Sequence, residues 1–115
     1  MSHAARSVFV FGLYLIAVGA GLVAIPNTAL GSLGFPPSAE VWPRVVGVLA
    51  LVLAYYYLQA ARRGLTAFFR WTVQARALVF VAFAALVLVG LAPTPLLALG
   101  AVDLLAAIWT GVALR

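Results

Sequence analysis

The sequence predicts an all-α integral membrane protein, an antiparallel four-helix bundle built as one domain over residues 1–115. Three observations predict it. Of the 115 residues, 67% are hydrophobic and 8% charged, whereas a soluble domain is about half apolar and about a quarter charged. The apolar residues form four long runs separated by Pro, Gly and Arg. The arginines gather at alternate ends of those runs. A water-soluble fold this small cannot cover so much apolar surface, so lipid is the expected solvent.

The first run, Val8 to Ile25, lies between Arg6-Ser7 and Pro26-Asn27 and holds no charge. At ~20 residues per bilayer crossing it spans with the help of its flanks. It also has signal-peptide features, with Arg6 as the basic region and Val18-Gly19-Ala20 as a cleavage site; the four-span reading keeps it as a helix. His3 falls in a short tail before it. The second span, 42–61, follows Pro36-Pro37-Ser38-Ala39-Glu40. There Ser38 is a suitable helix cap, Glu40 suits the positive end of the helix dipole, and Pro43 is tolerated in a first turn. Arg62-Arg63-Gly64 ends it, a basic terminus followed by a breaker.

The third helix begins near Thr66 with the amphipathic turn Phe68-Phe69-Arg70-Trp71. Its span is 70–92, fully apolar from Ala77 onward. Pro93-Thr94-Pro95 forces a turn, and the fourth span is 95–114. Arg6, Arg62, Arg63, Arg70, Arg76 and Arg115 fall at one side and only Arg44 at the other. By the positive-inside rule both termini are cytoplasmic, in a multi-pass protein of the cell (inner) membrane. Trp42 suits the outer aromatic belt, and Trp71, Trp109 and Tyr57 the inner one.

Two segments match in register. Gly21-Leu22 to Ala29-Leu30-Gly31 and Gly90-Leu91 to Ala98-Leu99-Gly100 share the frame G-L-x-x-x-P-x-x-A-L-G. A tandem repeat of two helical hairpins, with its axis along the membrane normal, would explain it. Chance matching in a sequence rich in Gly, Ala and Leu is the alternative. The repeat predicts a short outer-surface helix over Thr28 to Leu33.

The formal charge of +5 suggests nucleic acid, but the arginines punctuate apolar runs and do not share a solvated face, so no nucleic-acid partner is expected. Cysteine is absent, which removes disulfides and thiol chemistry. With no Cys, one His and two acids, a metal site has few ligands to draw on. No catalytic or nucleotide motif is present, and no cofactor is expected.

The residues expensive to bury are therefore the informative ones. Asp103 lies about 12 Å along the fourth helix, near the bilayer middle, where an acid costs at least ~2.5 kcal/mol on insertion scales. Side chains lean toward their own helix N-terminus. Asp103 and Arg44 thus both lean outward, since both their helices start outside, and Arg76 leans away toward the cytoplasm, which makes Arg44 the expected partner. The pair is either a structural link or an outer-facing ligand or proton site. Gly100, Asp103, Ala107, Thr110 and Gly111 form a small or polar stripe suited to helix contact. Of Tyr55, Tyr56 and Tyr57, at most two face inward; an inward tyrosine such as Tyr56, with Gln59, Gln74 and Arg76, would line a polar inner vestibule. Arg62, Arg63 and Arg70 meet lipid headgroups, each worth about 1 kcal/mol to an anionic leaflet. Gly12, Gly19 and Gly21 allow close helix approach, within the bundle or between protomers of a homo-oligomer.

In length and span number the chain is similar to the small multidrug resistance transporters, but its first span lacks the acid that family uses. Small fluoride channels are similar in size, without a matching polar pattern. In layout the whole chain resembles DoxX-like and other four-helix bacterial membrane proteins, a likeness that implies the fold and no catalytic residues. The expected function is non-enzymatic: binding of a small hydrophobic ligand or partner subunit within or beside the bundle. The alternatives are a small transporter or channel with its polar site at Arg44 and Asp103, and an intramembrane enzyme.

Overall fold

The computed structural model describes residues 1–115 as five helices and no strand. They are α1 (His3–Ala24), α2 (Pro26–Ser32), α3 (Trp42–Arg63), α4 (Thr66–Leu88) and α5 (Pro95–Ala113). All but α2 are long and apolar enough to cross a membrane.

Helix ends follow local chemistry. The Ser2 hydroxyl caps α1 by accepting from the Ala5 amide at 3.0 Å, so His3 is helical and not part of a tail. Proline lacks the amide a helix interior needs but is tolerated at a helix start. Pro26 accordingly opens α2 and Pro95 opens α5. Ser38 does not cap α3. Its amide donates to Asn27 Oδ1 at 2.9 Å and its hydroxyl accepts from the Glu40 amide at 3.2 Å, which makes a turn laid over α2. The helix waits until Trp42-Pro43, where Pro43 takes a first-turn position.

Two glycines stop helices, Gly64 where the sequence places a breaker and Gly90 short of the expected end. Gly64, at φ 63°, lets the Leu65 amide reach back to the Ala60 carbonyl at 3.1 Å. Gly90, at φ 80°, does the same for Leu91 and Leu86 at 2.9 Å. Both are Schellman ends, which require a left-handed residue that glycine adopts without strain. The second one ends α4 at Leu88, four residues short of the expected Ala92.

Helix α1 is the centre of the fold. It packs on α3 along one side and on α5 along another, and α5 packs on α4. The α1–α3 contact is backbone to backbone. A Cβ added at Gly19 would stand 2.8 Å from the Gly47 carbonyl oxygen, and one at Gly47 would stand 2.7 Å from that of Gly19. Lower down, Gly12 meets Leu58, so contact numbers rise along α1 as they fall along α3. Where lipid is the solvent there is no hydrophobic force between helices, and such close approach supplies the attraction.

The Cα frame is flattened, 41 × 30 × 17 Å. Only 20 residues are buried, while Leu78, Leu88 and Leu105 are among many large apolar side chains left exposed. The packed core is not central. Ala4, Ala5, Val8, Phe11, Tyr57, Ala60, Ala61 and Phe69 gather at the end where α1 starts and α3 finishes, called here the termini end. The opposite, far end carries α2 and the turns into α3 and α5.

Candidate functional site

Two features stand out, one at each end. At the termini end, Arg76 is the largest fully buried side chain, with 2% exposure. It lies about 15 Å along α4 from Thr66, and its side chain leans back one turn as helical side chains do. Its Nε donates to the Thr72 carbonyl at 3.1 Å, and its Nη2 donates to Thr72 Oγ1 at 3.0 Å and Thr110 Oγ1 at 2.9 Å. The guanidinium also lies 5.0 Å from the Phe11 ring centre and 5.8 Å from that of Tyr57. Aromatic faces attract a cation most strongly when water is excluded. Nη1 is buried with no partner.

Proton counting gives this cluster a direction. Arginine can only donate, and each hydroxyl has one proton. Thr110 Oγ1 and Ser7 Oγ are 2.6 Å apart, Ser7 Oγ is 2.7 Å from the Ala4 carbonyl, and Thr110 Oγ1 is 3.1 Å from the Ala106 carbonyl. Two protons cannot fill three contacts, and the two shortest win. The order is Arg76 to Thr110, Thr110 to Ser7, and Ser7 to Ala4, which ties α4, α5 and α1 together. Thr72 donates separately to the Phe69 carbonyl at 2.7 Å.

The structure brings Arg76 and Thr110 together and leaves the other singled-out residues apart. Arg44 is exposed and donates to the Val23 carbonyl of α1. Asp103 is half-buried on α5, seven residues before Thr110 and so on the same face. The Arg44–Asp103 pairing therefore does not form. α3 packs chiefly on α1, and Arg44 finds there the free carbonyls of a helix C-terminus.

Tyr56 points outward with Tyr55, and it is Tyr57 that turns in, against Phe11 at 5.4 Å and Phe68 at 5.6 Å between ring centres. Tyr57 thus leaves the expected aromatic belt. Gln59 is half-buried and Gln74 exposed, so no polar vestibule forms around Arg76. Arg62, Arg63 and Arg70 are all exposed near the α3–α4 turn. No group of three His, Cys, Asp or Glu side chains is placed to hold a metal ion.

At the far end, α1 and α3 diverge from α4 and α5 around a cleft of about 470 Å³. Val18 and Leu22 of α1, Val46 of α3, Phe83 of α4, and Leu96 and Leu99 of α5 form its apolar walls. Leu30 of α2 and Leu33 just after it, with Phe35, close one side, and Ser38, Glu40 and Trp42 stand on the lining as well. The volume suits a small ligand, as do the mainly apolar walls with few polar groups.

No family model, curated protein or solved structure matches the chain. The site must be argued from its own geometry.

Sequence reasoning missed Ser7, Thr72, Phe11 and Tyr57 around Arg76, and every wall residue of the cleft. Thr72 was readable, because it precedes Arg76 by one helical turn. Ser7 was not, since its partner Thr110 is 103 residues away.

Proposed function

We propose that the chain is a non-enzymatic membrane protein of four antiparallel spans that binds a small hydrophobic ligand in its far-end cleft. The observation that carries this is the cleft itself: about 470 Å³, walled by apolar side chains from all four long helices and α2. Had the fold only to fill its interior, this gap would be closed by the packing seen at the termini end. The exposed Arg6, Arg62, Arg63, Arg70 and Arg115 support a cytoplasmic termini end by the positive-inside rule, in which case the cleft lies in the outer half of a cell membrane. Descent from two hairpins, α1–α3 and α4–α5, is supported by proline opening both α2 and α5.

The test uses the purified protein in lipid nanodiscs with an apolar fluorescent probe. Leu99→Trp fills the cleft and is expected to abolish saturable probe binding, while Leu105→Trp, on an exposed face, leaves it intact. Equal binding by both variants would place the probe outside the cleft and end this reading.

A further inference from the structure

The composition of the cleft's lining says more about its ligand than its volume does. Among thirteen lining residues the only charged one is Glu40, and none of the chain's seven arginines lines it. Glu40 is exposed on the turn before α3. Its position is built. The Asn27 side chain holds the Ser38 amide, and Ser38 Oγ holds the Glu40 amide, so the carboxylate is carried on a turn pinned to α2. The nearest cation in sequence, Arg44, is one helical turn away. It does not neutralise Glu40, because its guanidinium is turned to the Val23 carbonyl on α1.

Beside Glu40 the lining carries Trp42 and Phe35, and Trp42 is 65% exposed. A carboxylate without a salt-bridge partner and an indole lining the same cleft are the chemistry that recognises an ammonium group, since the ring quadrupole and the carboxylate attract the same charge. Below this rim the walls are Val18, Leu22, Val46, Phe83, Leu96 and Leu99, with no polar atom to satisfy a second head group. A ligand matching both parts has one positive head and an apolar body.

We infer that the cleft selects an amphiphilic cation, its ammonium head at Glu40 and Trp42 and its apolar body between α1 and α5. This rests on the cleft being the ligand site. Attraction at a partly exposed carboxylate and attraction at an aromatic face are each modest, and together they give a preference of about tenfold over a neutral head.

Three probes with the same alkyl chain separate the charge from the cleft: decyltrimethylammonium, decanol and decanoate. Binding is read by Trp42 fluorescence in a Trp71→Phe, Trp109→Phe protein in phosphatidylcholine nanodiscs. The ammonium is expected to bind about tenfold tighter than decanol, and decanoate weaker than both. Glu40→Gln should bring the ammonium down to the affinity of decanol. Equal affinities for the three probes, or an ammonium preference that survives Glu40→Gln, would overturn the inference and leave the cleft standing. Absence of saturable binding by any probe, or binding of radiolabelled decyltrimethylammonium that persists in Leu99→Trp by equilibrium dialysis, would remove the cleft reading beneath it.

Discussion

The two ends of the molecule solve opposite problems with the same four helices. At the termini end, α1, α4 and α5 close on a buried arginine, and every nearby hydroxyl is spent on it or on a carbonyl. At the far end the helices part, and the side chains that would have met are apolar and face a gap. The first end is held by directional bonds that demand one geometry. The second has only dispersion contacts on its walls, which tolerate an absent or exchangeable occupant. A protein that opens at one end needs the other end to hold the helices together, and the Arg76 cluster is placed to do so.

If that division is right, substitutions at the closed end should cost stability and those at the open end should cost binding. The largest effect is expected from Arg76→Ala. Where folded and separated helices share the same apolar medium, the arginine's insertion cost is common to both states, and the loss is packing and hydrogen bonds. A destabilisation of about 3 kcal/mol is expected in detergent-unfolding titrations. A loss below about 1 kcal/mol would mean the cluster is not what holds that end. Gly47→Ala comes next, at about 2 kcal/mol, because its methyl would meet the Gly19 backbone, which can move only with α1. Gly111→Ala is the control. Its nearest neighbour would be Val73 at 3.7 Å, an ordinary contact, and little change should follow.

Thr110→Val keeps the shape and removes the hydroxyl that accepts from Arg76 and bonds Ser7. About 1.5 kcal/mol is expected. In a double-mutant cycle with Ser7→Ala, a coupling of at least about 0.5 kcal/mol should appear; strict additivity would break the proposed order of donors. Smaller still is the pairing of Asp103. Asp103→Asn and Arg44→Gln should add to within about 0.5 kcal/mol, as unconnected sites do, and a larger coupling would restore the pair. Leu99→Trp should shift stability least, within about 0.5 kcal/mol, while abolishing ligand binding. A large loss of stability there would show that the far end is a core after all.

Much of the fold was legible because its signals are local. Apolar runs marked the four long helices, Pro26 and Pro95 marked starts, and Gly64 marked a stop. A short helix over Pro26–Ser32 overlaps the segment from Thr28 that the internal match suggested. The boundaries that moved did so through hydrogen bonds between near neighbours: Ser2 extended α1 and Gly90 shortened α4. The site was less legible. Arg76 was assigned to a membrane edge because its helix starts nearby, and the lean of its side chain was read correctly. Thr110 was singled out as part of a polar stripe, but its place beside Arg76 and the Ser7 hydroxyl from α1 were missing, because nothing in sequence links Ser7 to Thr110.

Arg44 and Asp103 show the same limit from the other side. Their depth and lean suit a pair, yet helix order decides who meets whom. The sequence by itself determined which segments form the long helices, roughly where they break, and that most of their surface must face an apolar medium. Each follows from hydropathy, proline and glycine within a few residues. Tertiary structure decided that α1 stands at the centre, that Arg76 is the charge enclosed, that Tyr57 turns in while Tyr56 turns out, and that a cleft opens beside Glu40. Those outcomes depend on which helix faces lie against each other. In a chain where nearly every face is apolar, hydropathy carries no instruction about that, and close approach at Gly19 and Gly47 with a few hydroxyls does.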